Sequence, residues 1–163
     1  MRERIIQPPE IVEIDEPFIF LAGPIQGAAD WQPQAAAYIH AEDSSILVAS
    51  PRKDYPEGTF VYERQVDWET HCLRLAGKIG VIGFWLARQA QEIPGRAYAQ
   101  TTRFELAEWK VCHERDGSKI TIGIEEGFGN ARYIRRRFEQ DCPEVKIVDT
   151  LEEMCHNAVL LIR

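Results

Sequence analysis

The sequence predicts an α/β fold, an open and mostly parallel doubly wound sheet of about five strands with helices on both faces. Three observations carry this prediction. Short apolar runs without polar alternation, such as Phe18-Ile19-Phe20-Leu21-Ala22, suit strands buried on both faces, as parallel strands are. Stretches with helical periodicity separate those runs. The two types alternate along the chain, with no internal repeat, low-complexity tract or second-domain linker.

Taken in order, residues 1–17 read as a loosely structured arm, because Pro8, Pro9 and Pro17 block regular helix. A single domain is expected over 18–163. Its first strand, Phe18–Ala22, is closed by Gly23-Pro24. Asp30 is placed to cap a helix over about 31–41, with Pro33 in the first turn. Ile46–Ala49 is the second strand, and a polar stretch over 52–60 leads to a helix from Tyr62 to Ala76. Ile79–Trp85 is the third strand, followed by a long loop with Pro94 and Gly95 and a helix from Thr102 to Glu114. Ile120–Ile124, a basic helix Ala131–Gln140 and Val145–Val148 follow. Thr150-x-x-Glu153 has the capping-box form for a last helix.

Composition narrows the function. A chain of 163 residues with 45% hydrophobic side chains is sized for one ordinary core. Nineteen basic against 26 acidic residues give a net charge of −7, which argues against a nucleic-acid polymer as partner. No apolar run approaches the ~18–20 residues of a membrane span, and the charged, proline-containing start lacks the apolar centre of a secretory signal. Cys72, Cys112, Cys142 and Cys155 are scattered without a C-x-x-C pair, so a reduced, cytoplasmic setting is expected in place of a disulfide scaffold. His40, His71, His113 and His156 form no ligand spacing, and neither a metal nor a cofactor is expected.

In doubly wound sheets, ligands sit outside the carboxyl ends of the strands. The first such loop, Gly23-Pro24-Ile25-Gln26-Gly27, is neither a dinucleotide fingerprint nor a phosphate loop. It reads either as a turn that lets a ligand approach the backbone or as a plain strand exit. Glu105 has two readings. With Thr102 as cap it stands three residues into a helix and closes a capping box; alternatively it is a catalytic carboxylate presented at a helix start. Glu69 interrupts the stripe Tyr62, Val66, Leu73 and Ala76, so a carboxylate sits within an otherwise apolar face. Burial would suit it to general acid work, unless a cation pairs with it. Asp67 shares its side with Glu63, Thr70, His71 and Arg74 and reads as surface charge. Trp68 and Trp85 offer flat walls for a planar ligand or core packing, with core favoured for Trp68 and the pocket for Trp85. Arg132, near a helix start after Gly127-Phe128-Gly129, is a phosphate contact or part of a solvated basic face.

Four segments carry a resemblance: Phe18–Ile25, Gln65-Val66-Asp67-Trp68-Glu69, Gly83-Phe84-Trp85 and Thr101-Thr102-Arg103-Phe104-Glu105. In this order they resemble the nucleoside 2-deoxyribosyltransferase-like family. The resemblance spans roughly residues 18–140 and implies a flavodoxin-like sheet of five parallel strands. It also implies that Glu105, at the position of the family's nucleophile, attacks the sugar C1′. Family tyrosine and aspartate positions are occupied here by Phe20, Gly77-Lys78 and Gln100-Thr101-Thr102, and Glu69 or Asp67 is the expected substitute acid. The expected activity is cleavage of an N-glycosidic bond in a nucleoside or nucleotide, with (deoxy)ribosyl transfer to another base through an ester on Glu105. A hydrolase and a non-catalytic nucleotide-binding module are the alternatives. Gly23, Pro24, Ile25, Trp68, Trp85, Thr102 and Arg132 are the expected substrate contacts, and the family implies a homodimer or higher homo-oligomer.

Overall fold

The computed structural model describes residues 4–163. Its elements are β1 (Ile5–Ile6), β2 (Phe18–Ala22), α1 (Gln32–Glu42), β3 (Leu47–Ala49), α2 (Tyr62–Ile79) and β4 (Val81–Leu86). They continue with α3 (Gln100–Asp116), β5 (Ile120–Ile124), α4 (Ala131–Asp141), β6 (Ile147–Val148) and α5 (Leu151–Ile162). All pairings are parallel, in the order β1-β3-β2-β4-β5-β6. This is a flavodoxin-like α/β sheet with one additional edge strand.

Alternation within each strand divides the core in two. Phe18, Phe20 and Ala22 of β2 face one layer with Ile82, Phe84 and Leu86 of β4, covered by α2, α3 and α4 through Trp68, Leu106 and Phe138. Ile19 and Leu21 face the other with Val81 and Trp85, covered by α1 and α5 through Ala35, Ile39, Met154 and Val159. Successive side chains of a strand point to opposite faces, so helices on both sides bury every residue of β2 and β4. The unbroken apolar runs in the sequence are the consequence.

The arm departs from expectation. Ile5 and Ile6 pair with Val48 and Ala49, Arg4 bonds Glu16 at 2.6 Å, and Ile14 is buried in the core, so the sheet has six strands. Two residues are too few to show a strand pattern in sequence. Asp30 does not cap α1; Trp31 takes that position, and Asp30 instead pairs with Arg52 at 3.2 Å. The last helix does start as read. Thr150 Oγ1 accepts the Glu153 amide at 3.2 Å and donates to its carboxylate at 2.8 Å.

The chain leaves β2 toward β3 on one side and then crosses to β4 on the other, which places the reversal of strand order at β2. The loops at the carboxyl ends of β2, β3 and β4 therefore gather around one crevice. Among the described residues, no helix is long and apolar enough to cross a membrane.

Candidate active site

The crevice is a cavity of about 530 Å³. Its first wall is the turn after β2, where Gly23, Pro24 and Ile25 all line the space. A side chain at Gly23 would collide with the Trp85 carbonyl and place its Cβ 2.6 Å from the Trp31 ring, so only glycine fits. Trp31 holds the turn from behind by donating its indole N–H to the Pro24 carbonyl at 3.0 Å. Gly27, with φ of +82°, turns its carbonyl to accept the amides of Ala90 at 2.7 Å and Gln91 at 3.0 Å. That pins the long loop after β4 against the first turn. The Tyr98 hydroxyl closes the same loop by donating to the Ala87 carbonyl at 2.6 Å.

The second wall is a face of α2. The stripe Tyr62, Val66, Glu69, Leu73 and Ala76 runs from the cavity into the core. Tyr62 and Val66 are exposed and line the cavity, whereas Leu73 and Ala76 are buried. Glu69 stands where the two environments meet. Burial pushes its carboxyl above the ordinary range, and a hydrogen bond from Gln65 acts the other way. Gln65 Nε2 donates to Glu69 Oε1 at 2.9 Å and to the Pro51 carbonyl at 2.9 Å, while its carbonyl oxygen accepts the Tyr55 hydroxyl at 2.7 Å.

Glu105 comes from α3. This helix begins at Gln100, preceded by Ala99 in the left-handed region at φ 59°, with no side-chain cap. The helix thus starts two residues before the expected Thr102. Thr102 is a buried residue of the first turn that lines the cavity, and Glu105 falls in the second turn. The capping-box reading of Glu105 is overturned. No ion pair or hydrogen bond to a described residue holds its carboxyl. Burial, the charge of Glu69 and that of Glu108 push it up to about 8. The cavity therefore contains two carboxyls from different helices, both pushed above the ordinary range.

Several expected contacts lie elsewhere. Asp67 is exposed on the other side of α2, in a shallow groove with His71, Arg74 and Lys78. Trp68 is fully buried and backs Phe20 at a ring separation of 6.1 Å, so it supports the cavity floor without lining the cavity. Trp85 points into the opposite layer, packed over Gly123, because it alternates with Phe84. Arg132 is exposed on α4, outside the cavity.

Residues not anticipated take these places. Tyr55, Phe60, Tyr62 and Tyr98 supply the aromatic walls, and Arg52, Lys53 and Arg96 the positive charge. Arg52 and Lys53 follow β3 directly, so the rule that ligands gather after strands would have found them. Arg96 lies in an irregular loop with no periodic signal.

Among the described residues, no three His, Cys, Asp or Glu side chains converge as a metal site, and all four cysteines are free thiols. The cavity's chemistry is that of paired carboxyls, amides, phenols and cations. No protein-family model matches the chain, and no curated protein matches it.

Proposed function

We propose that the protein cleaves the N-glycosidic bond of a nucleoside or nucleotide and transfers the (deoxy)ribosyl group to another base. The observation that carries this reading is the pairing of Glu69 with Glu105 in one cavity, with Glu105 held protonated up to about 8. Glycosidic bond chemistry needs one carboxylate to attack and one carboxylic acid to protonate the leaving group. A pair that shares one proton supplies both.

Before substrate binds, the proton resides on Glu105, whose carboxyl is raised to about 8. A bound sugar whose C1′ gains positive charge favours the Glu105 carboxylate, and the proton passes to Glu69, directly or through solvent. Glu105 then forms a bond to C1′ as the C1′–N bond breaks. The bonding pair leaves with the base nitrogen, which takes the proton from Glu69. A nitrogen of a second base attacks C1′ and gives its proton to Glu69, which frees Glu105. Gly23, Pro24 and Ile25 approach the ligand by backbone, Thr102 borders it near Glu105, and the aromatic walls flank the base.

Arg52, Lys53 and Arg96 on the cavity wall favour a second reading, hydrolysis of a nucleotide whose phosphate they attract, with water as acceptor. A binding module without turnover is the weaker alternative, because binding alone gives no use for an unpaired half-buried acid at Glu105. The proposal includes a cytoplasmic setting, supported by the free thiols. It also includes self-association, supported by Phe104 and Val111, both exposed on α3. Deoxynucleosides with a second base, and deoxynucleotides alone, test the reading by chromatography of the bases. Exchanged or free base supports it, and intact substrates in every mixture contradict it.

A further inference from the structure

We propose that Gln65 is a positioning residue that favours the ionised form of Glu69 over that of Glu105, and that Tyr55 locks it in the orientation this requires. The inference rests on the reading above in taking Glu69 and Glu105 as the working pair. The hydrogen-bond chain that carries it depends on no substrate.

The orientation of the Gln65 amide is fixed by chemistry. A backbone carbonyl only accepts, so the group facing Pro51 at 2.9 Å is the amide nitrogen. The Gln65 oxygen therefore faces Tyr55, whose hydroxyl donates to it at 2.7 Å. The same nitrogen has one N–H left, and it points at Glu69 Oε1, 2.9 Å away. Three partners, two on the loop between β3 and α2 and one on α2 itself, leave the amide no alternative arrangement. Glu69 thus always meets a donor, and a donor favours the ionised form over the acid. Glu105 has no such donor among the described residues.

The other charged groups around Glu69 do not replace this effect. Cys72, further along α2, is pushed up to about 12 by burial and by the charge of Glu69, so it stays neutral. Tyr55, in the loop between β3 and α2, is raised by burial and by Glu69 and also stays neutral. Glu105 on α3 opens into the same cavity with its carboxyl raised to about 8, and Arg52, Lys53 and Arg96 line the cavity without an ion pair to Glu69. The strands beneath α2 present apolar side chains there. The Gln65 donor on Glu69 thus adds to the charge of Glu108 on Glu105 in separating the two acids. Phe60 stacks edge-on to Tyr55 at 5.3 Å, so the aromatic rim of the cavity is joined through Gln65 to the acid pair.

Carbon-13 NMR of protein labelled at the glutamate carboxyls tests the inference without turnover. Glu69→Gln and Glu105→Gln assign the two signals. In the native sequence Glu69 titrates before Glu105. Gln65→Leu lowers the ionisation constant of Glu69 by roughly ten- to a hundredfold, the range for losing one hydrogen bond to a charged group. Tyr55→Phe shifts it less, in the same direction, and decides the matter if Gln65→Leu does not fold. A Glu69 titration unmoved in the folded variants overturns the inference. A shifted titration in a protein that cleaves no N-glycoside upholds it and sinks the proposed function; an active enzyme with an unmoved titration does the reverse.

Discussion

Glu69 on α2 and Glu105 on α3 open into one cavity, and the charge of Glu69 adds to burial in pushing the Glu105 carboxyl up to about 8. A carboxyl in solution titrates near 4.3. The fold thus holds an acid where the unfolded chain holds a carboxylate, which has consequences for stability and rate.

Stability should respond to pH through Glu105. Its folded value is raised, so ionisation penalises the fold only as pH climbs from the unfolded value near 4.3 to about 8, and the penalty is complete above that. Glu105→Gln removes the group that must ionise. Thermal denaturation is expected to show the variant more stable than the native protein at about pH 9, with the gain vanishing at about pH 4. An equal gain at both values would remove the assignment.

Rate should follow the proton count of the pair. In the proposed mechanism the proton passes between Glu105 and Glu69 without changing the count, which makes the singly protonated pair the competent form whichever acid holds it. We expect kcat/KM for N-glycoside cleavage to fall above about pH 8, where the second proton is lost. A plateau continuing to about pH 10 would contradict a shared-proton mechanism.

Gly23→Ala tests the turn that forms the first wall. The added methyl meets the Trp85 carbonyl and the Trp31 ring, and overpacking of this kind costs about 1–3 kcal/mol. Urea unfolding should show a lower midpoint with an unchanged slope. Native stability in this variant would mean that the turn yields.

Arg96→Ala addresses the phosphate reading. Arg96 lines the cavity, and its side chain makes no hydrogen bond or ion pair to a described residue. If the substrate is a nucleotide, steady-state kinetics should show KM for the phosphorylated substrate raised about tenfold, consistent with the loss of one charge-assisted contact. The nucleoside KM should stay unchanged. Equal effects on both would place Arg96 outside phosphate recognition.

The sequence revealed most where burial imposes a simple pattern. Phe18–Ala22 and Ile120–Ile124 read as strands because parallel strands are apolar on both faces, and Thr150-x-x-Glu153 read as a cap because the motif is local. Glu69 was legible as the one acid in an apolar stripe. Trp85 was misplaced because successive strand residues alternate in facing, and the wholly apolar run Val81–Leu86 does not mark which of Phe84 and Trp85 faces which layer. Thr102 was misread as a cap because Ala99, with no capping side chain, starts the helix from a left-handed conformation. Arg96 gave no signal, since its place in the cavity is set by Gly27 and Tyr98 anchoring an irregular loop.

The proposed chemistry stands on the attack of Glu105 on the sugar. Mass spectrometry of the protein quenched during turnover of a deoxynucleoside, followed by peptide mapping, tests it most directly. The expected result is a deoxyribosyl adduct on the peptide containing Glu105 and its absence in Glu105→Ala, together with loss of base release. Base release that persists in Glu105→Ala, or an adduct mapped to another residue, would contradict it.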